Sequence, residues 1–366
     1  MAAIRRLAVA GGGTGGHLFP GLAVAEEFRK RDEATAVLYI GVNGKMEEHV
    51  VPAAGMEFHG LDVSGLKGRG LVRQAEGAFL AWKALFECRR VLRTFAPEIV
   101  IGVGGYSSGP AALAAWSLNL PLVLQEQNTV PGLTNRLLGR LARKIFLAFG
   151  EAASFFPAGR TVVTGNPIRS DALGEPGEVG GEAKLKVLVL GGSRGARGVN
   201  TMVTAALPML GPSGRDMVFI HQTGVDDRGW VEKAYHEAGI EAEVRTFVDG
   251  MGGKYRWADL VVSRAGAGAV SEIAAAGRPA ILVPFPHAAG GHQRRNAAWL
   301  TGKGGGMLIE ESDPEGSKRL AGALAELHGN RTRLRKMAAE SSGAGRRDAA
   351  ARIVEECTEL VHAQRG

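Results

Sequence analysis

Four clusters of glycine, each placed directly after a short apolar run, constrain this chain more than any other feature. They are Gly11-Gly12-Gly13-Thr14-Gly15-Gly16-His17, the stretch 102–110, Gly191-Gly192-Ser193-Arg194-Gly195-Ala196, and Ser263-Arg264-Ala265-Gly266-Ala267-Gly268. The runs before them, 4–10, 98–102, 186–190 and 260–263, read as strands. Further strands are expected at 36–40, 122–125, 144–148, 218–220, 243–245 and 280–283. Amphipathic stretches intervene, as at about 21–31 and 73–93, and the tail from about 313 is mostly helical. Strands alternating with helices imply parallel sheets with helical crossovers. Residues 165–181 carry Pro167, Pro176 and several glycines and read as a linker, after which the alternation restarts. The expected fold is therefore α/β, with two doubly wound, Rossmann-like domains facing across a cleft. Ligands of such sheets lie beyond the carboxyl ends of the strands.

Composition narrows the classes. At 366 residues the chain suits two domains of roughly 150 each. Its hydrophobic content of 45% is too high for a disordered chain. The 54 glycines show no G-X-Y period, so a collagen-like chain is excluded. No apolar run is long enough to span a bilayer. Arg5 and Arg6 precede only a short apolar stretch, which reads as a first strand and not a signal peptide. Cys88 and Cys357 are far apart and give neither a disulfide framework nor a metal spacing, so a reducing, cytosolic setting is expected. A net charge of +7 calls for an anionic partner: nucleic acid, a membrane surface or a phosphorylated metabolite.

Glycine loops entering helices suit phosphates. They let the backbone approach a ligand closely, and the helix start supplies unpaired N–H groups and a positive dipole end. Residues 11–16 also match the dinucleotide fingerprint G-x-G-x-x-G. That fingerprint requires an acid at the end of the second strand, where this chain has Leu38-Tyr39-Ile40-Gly41-Val42-Asn43. The P-loop ending Gly-Lys-Ser/Thr is missing from every cluster, and no Asp-x-Asp occurs to place a metal on a diphosphate. An anion site here must rely on backbone N–H groups, a helix dipole and a cation. No metal ligand and no cofactor is expected.

Several stretches fit one family in order along the chain. They are Gly12-Gly13-Thr14-Gly15-Gly16-His17 with Phe19-Pro20-Gly21, Gly104-Gly105-Tyr106 with Ser108-Gly109-Pro110, and Gln125-Glu126-Gln127-Asn128 with Pro131-Gly132-Leu133-Thr134-Asn135. Then come Thr164-Gly165-Asn166-Pro167-Ile168-Arg169, the 191–196 cluster, and 263–272 extended through Pro284, His292-Gln293 and Asn296-Ala297. Together they resemble the MurG family of peptidoglycan glycosyltransferases, within glycosyltransferase family 28. One departure is Arg194, where the family more often has glutamine.

The resemblance implies a GT-B fold. An acceptor- and membrane-binding domain would cover 1–164 and a UDP-sugar domain 165–345, with a C-terminal helix, about 346–366, packing back on the first. The implied donor is UDP-N-acetylglucosamine. The implied acceptor is the undecaprenyl-diphospho-N-acetylmuramoyl-pentapeptide, lipid I. The product would be lipid II, made by one inverting transfer at the cytoplasmic face of the bacterial membrane, in cell-wall synthesis and beside division and elongation proteins.

The site residues follow. Gly266, Ala267, Gly268, Ala269, Val270 and Ser271 would supply helix-start N–H groups to the diphosphate, with Arg169 as the cation and Ser193 as a hydroxyl donor. Glu272, placed in the same first turn, would accept from the ribose hydroxyls, or else complement the helix dipole. Gln293 and Asn296 share a helix face and suit sugar hydroxyls. Val248 would meet the uracil through its backbone. His17 is the candidate general base for the acceptor 4-hydroxyl, because its neutral form is available near pH 7. A capping or phosphate-contacting histidine is the alternative. Thr14, Gly15, Gly16 and Asn128 belong to the donor set and line the space beside His17. Gly104, Gly105, Tyr106 and Asn128 form the acceptor set.

The positive charge concentrates between 64 and 96. Lys67, Arg69, Arg73, Lys83, Arg89, Arg90 and Arg93 stand there against Glu76 and Glu87. Apolar residues are interleaved, so Leu66, Lys67, Arg69, Leu71, Arg73, Phe79, Trp82 and Lys83 are expected to touch an anionic membrane. The alternatives are a solvated helix over the core, a UDP-N-acetylglucosamine 2-epimerase or diacylglycerol glucosyltransferase on the same fold, and a nucleic-acid binder. Against the last, aromatic residues are only 6% and no nucleic-acid motif is recognisable.

Overall fold

In the computed structural model the described residues are 3–63, 71–173, 178–181, 184–192 and 195–364, with the backbone alone for 71–79. The chain divides into two units, Met1–Arg169 with Arg347–Gly366, and Ser170–Arg346. The first unit runs on past Thr164 because its next residues are tied to it. Gly165 N donates to Leu147 O, and Asn166 Oδ1 accepts from Gln125 Nε2.

The strands of the first unit are β1 (Arg6–Gly11), β2 (Ala36–Val42), β3 (Glu57–Leu61), β4 (Ile99–Gly104), β5 (Leu122–Glu126), β6 (Lys144–Leu147) and β7 (Thr161–Val163). Its helices are α1 (Gly15–Arg31), α2 (Glu47–Ala53), α3 (Leu71–Phe95), α4 (Ser108–Ser117) and α5 (Leu133–Leu138). In β1, Leu7, Ala8, Val9 and Ala10 are all buried, so the strand has no polar face and must be covered on both sides. Side-chain alternation assigns the two faces. Leu7 and Val9 pack with Val37 and Tyr39, under Leu18, Leu22 and Ala25 of α1. Ala8 and Ala10 pack with Leu38 and Ile40, under Ala84, Cys88 and Leu92 of α3 and Ala111 and Ala115 of α4.

The strands of the second unit are β8 (Leu185–Leu190), β9 (Met217–Gln222), β10 (Glu241–Arg245), β11 (Leu260–Ser263), β12 (Ala280–Leu282) and β13 (Gly306–Leu308). Its helices are α6 (Arg197–Ala206), α7 (Arg228–Ala238), α8 (Met251–Trp257), α9 (Ala267–Ala275), α10 (His292–Gly302), α11 (Gly316–Gly329) and α12 (Arg331–Ala344). The last helix, α13 (Ala349–His362), returns to the first unit. It lies on α1, buries Ile353, Val354 and Cys357, and pairs Glu356 with Lys144 and Glu355 with Arg31.

Both sheets are parallel, with the order β3-β2-β1-β4-β5-β6-β7 in one and β10-β9-β8-β11-β12-β13 in the other. In each, the order reverses beside the first strand, between β1 and β4 and between β8 and β11. The glycine clusters therefore fall in pairs, one pair at each switch point, where open α/β sheets bind ligands.

Helix α1 begins at Gly15 and not near residue 21. The N–H groups of His17 and Leu18 both reach Thr14 O at 3.1 Å, closing the turn ahead of Pro20. His17 is consequently held on a first helical turn, not on a flexible loop.

Candidate functional site

At the first switch point two glycine loops touch. Gly12 N donates to Gly104 O at 3.3 Å. Gly105 has φ +88, and a Cβ there would run into the carbonyl oxygen of Gly12. Gly104 has φ +90, and its Cβ would lie 3.0 Å from His17 Nδ1. These two glycines are thus explained by loop-to-loop approach, without a bound acceptor. Tyr106, 57% exposed, is the one acceptor candidate of that trio with a side chain to offer.

Glu47 is buried at the start of α2. Its Oε1 accepts from Gly13 N at 2.7 Å and Val42 N at 3.2 Å. It fixes the first glycine loop from within and occupies one N–H that could have met an anion.

His17 Nδ1 lies 3.1 Å from Val103 O and 3.2 Å from Gln127 Oε1. Arg169, the last residue of the first unit, places its guanidinium 4.4 Å from the centre of the Phe19 ring. It therefore stands beside the start of α1 by a cation–π contact. Glu126 is buried and accepts from Asn128 N at 2.9 Å, Asn128 Nδ2 at 3.3 Å, Gly132 N at 3.3 Å and Asn135 Nδ2 at 2.9 Å. Burial raises its pKa above the usual carboxylate value, against these hydrogen bonds. Asn128 is held by that carboxylate.

At the second switch point α9 starts at Ala267 after Gly266, with no side-chain cap. Around Gly266 and Gly268 nothing lies within 4 Å of where a Cβ would be, so the helix start faces open space. Glu272 is the sixth residue of α9, in its second turn, too far along to complement the first-turn dipole. Its Oε2 accepts from the buried Tyr255 hydroxyl at 3.0 Å. Asn296 is buried and donates to Ala265 O at 3.3 Å, so it anchors the loop ahead of α9 and does not present its amide at the surface. Gln293 Oε1 accepts from Phe285 N at 2.9 Å, so the oxygen end of its amide is committed to the loop ahead of α10. The Val248 side chain is buried, so only its backbone is offered, and Phe247 before it is 55% exposed. Arg264 pairs with Glu311 and donates to Val283 O at 3.2 Å and Pro284 O at 3.3 Å. Among the described residues no three His, Cys, Asp or Glu side chains gather as metal ligands. Ser193 and Arg194 lie outside the described residues.

The pattern of the chain matches the glycosyltransferase family 28 N-terminal domain over residues 7–147 and the family 28 C-terminal domain over 186–353. The chain belongs to glycosyltransferase family 28. A family relative from Geobacter metallireducens, named UDP-N-acetylglucosamine–N-acetylmuramyl-(pentapeptide) pyrophosphoryl-undecaprenol N-acetylglucosamine transferase, is 42% identical over 355 residues, covering 96% of this chain and 97% of its own. The crystal structure of Acinetobacter baumannii MurG superimposes with a TM-score of 0.79 at 29% identity, over 97% of this chain and 99% of that one. The two doubly wound units are those of the GT-B fold. A UDP-GlcNAc 2-epimerase from Neisseria meningitidis shares that fold, with a TM-score of 0.67 at 14% identity over 97% of this chain and 99% of its own.

Within this family 28 chain, α3 carries the basic segment. Ala84, Cys88 and Leu92 form its buried stripe. Trp82 and Phe86, one turn apart, are 59% and 51% exposed, with ring centroids 4.6 Å apart. Trp116 and Leu113 of α4, which packs on α3, are also exposed. Lys83, Arg90 and Arg93 are exposed on α3. Leu66, Lys67 and Arg69 lie outside the described residues, as do the side chains of Leu71, Arg73 and Phe79. No described helix is long and apolar enough to cross a membrane.

Sequence reasoning missed the roles of Glu47 and Gln127, and the buried group of Asn200, His221 and Asp227 below the third glycine cluster. Glu47 had a signal, as an acid shortly after the second strand, and Gln127 lies in the family-matching stretch 125–128.

Proposed function

We propose that this chain transfers N-acetylglucosamine from UDP-N-acetylglucosamine to the 4-hydroxyl of the N-acetylmuramoyl unit of lipid I, giving lipid II and UDP. The observation that carries the reading is the 42% identity, along nearly the whole chain, to a transferase so named. The glycine-built switch point in each unit supports it.

In this reading the first unit presents the acceptor and the second binds the donor. The acceptor oxygen attacks the anomeric carbon as its bond to the diphosphate breaks, with inversion, and the hydroxyl proton passes to His17. Negative charge growing on the departing UDP is met by the open N-terminus of α9, where the N–H groups of Ala267, Gly268 and Ala269 and the helix dipole point at an anion, while Val270 N donates to Gly266 O. Arg169 adds a cation, stacked on Phe19 beside His17. Glu272 takes the ribose hydroxyls, Val248 meets the uracil by its backbone, and the NH2 of Gln293 meets the sugar. No metal is assigned a role, since the sequence carries no Asp-x-Asp.

The protein works as a peripheral enzyme at the cytoplasmic membrane surface, where its acceptor's lipid tail resides. The exposed Trp82 and Phe86 of α3 and Leu113 and Trp116 of α4, with the exposed Lys83, Arg90 and Arg93 also on α3, support this. Division and elongation proteins are its expected neighbours.

The test is transfer of labelled N-acetylglucosamine from UDP to a lipid I analogue, with and without chelator, for the wild type and His17→Ala. Transfer that resists chelator and falls by about 10²-fold or more in the variant is expected of a general base. No transfer overturns the reading. Near-normal turnover with weaker acceptor binding reassigns His17 to binding.

A further inference from the structure

A general base is defined by which nitrogen carries the lone pair, and here buried amides decide that. His17 Nδ1 faces two oxygens, Val103 O at 3.1 Å and Gln127 Oε1 at 3.2 Å. The second is an oxygen and not an NH2 because the other end of that amide is committed. Gln127 Nε2 donates to Val103 O at 2.7 Å and to Gln125 Oε1. Gln125 Oε1 is in turn fixed as the acceptor, because its Nε2 donates to Asn166 Oδ1 at 3.1 Å. All three amide residues are buried. Two acceptors at Nδ1 require the hydrogen of a neutral ring to sit there, so the lone pair is on Nε2.

We propose that Gln127, oriented by Gln125 and Asn166, is a positioning residue that holds His17 in the Nδ1–H tautomer and so presents Nε2 as the base. The catalytic part of this rests on the transferase reading above. The tautomer does not. Charged and titratable groups on the surrounding elements are Glu47, against Gly12 and Gly13, Glu126, bound to Asn128 and Asn135, Tyr106, near Gly13, and Arg169, on Phe19. Val103 O and Gln127 Oε1 lie within hydrogen-bond reach of Nδ1.

The test uses the full-length protein labelled with 15N-histidine. In the wild type at neutral pH, the resonance pair lost in His17→Ala should show a pyrrole-type Nδ1 and a pyridine-type Nε2. This measurement needs no turnover, so it decides the tautomer even if transfer fails. Two variants then read the coupling. Gln127→Glu places a carboxylate where the amide oxygen is, and an opposite charge at that range raises a pKa by about 1–3 units. A base must be neutral, so the acidic limb of the kcat profile should move up in pH by that amount. Gln127→Met removes the acceptor, and kcat should fall on the order of 10-fold, part of the 10²–10⁴ a general base supplies, with both KM values little changed. A pyridine-type Nδ1 in the wild type refutes the proposal. So does a Gln127→Met variant whose kcat and His17 nitrogen pattern both match the wild type.

Discussion

Lowering the pH should destabilise the second unit through one buried imidazole. His221 of β9 is fully buried, with Nε2 3.1 Å from Asn200 Oδ1 and Nδ1 3.1 Å from the Tyr235 hydroxyl. The amide of Asn200 is fixed, since its Nδ2 donates to Thr223 O at 3.0 Å and Asp227 Oδ2 at 2.9 Å. The neutral ring therefore donates from Nε2 and accepts at Nδ1. Burial pushes its pKa from 6.5 down to about 3. The unfolded chain gains this proton near pH 6.5 while the folded one refuses it, so the stabilisation is complete above that pH and is lost on acidification. Each pH unit costs about 1.4 kcal/mol. The loss is about 2 kcal/mol by pH 5 and about 4 kcal/mol by pH 3. Urea unfolding at pH 7 and pH 5, with amide exchange of β9 identifying the transition, measures it. His221→Gln retains a donor for Asn200 and an acceptor for Tyr235 but cannot titrate. Its own cost at pH 7 drops out of the comparison, and it should lose about 2 kcal/mol less than the wild type between the two pH values. Equal losses in the two proteins would refute the reasoning.

Three further outcomes are expected. Glu47→Leu strands the N–H groups of Gly13 and Val42, at about 1–3 kcal/mol each, whereas Glu47→Gln keeps the accepting oxygen and should be much milder; urea midpoints compare them. Gly268→Val enters open space at the start of α9, so its melting temperature should stay within about 2 °C. Its KM for UDP-N-acetylglucosamine should rise about 10-fold or more, as for a lost charge-assisted hydrogen bond, and an unchanged KM would remove α9 from the donor site. Trp82→Ser and Phe86→Ser should each weaken sedimentation with anionic vesicles by about 10-fold, since a buried aromatic side chain contributes about 1.5–3 kcal/mol. Unaltered vesicle binding with intact folding would place the membrane contact elsewhere.

By itself the sequence determined the alternation of strands and helices, the two doubly wound units and, through motifs in a fixed order, the family. Those signals are local: a buried parallel strand must be apolar throughout, and the turn after it needs glycine. The edge strands β3, β7 and β13 escaped because each is short or half-exposed and pairs on one side only. Only the tertiary structure decided which loops meet. Gly12 and Gly105 are neighbours because strand order puts β4 beside β1, a choice that no stretch of sequence records. The same holds for the residues that hold the site and do not announce themselves. Glu47 reaches the glycine loop from another helix, and Gln127 fixes His17 across more than a hundred residues of chain. Asn296, expected as a sugar ligand, is buried and bonded to Ala265 O, while Trp82, expected at a membrane surface, is exposed. Residue type sets what a side chain can do, and the non-local packing of the sheets decides which partner it does it with.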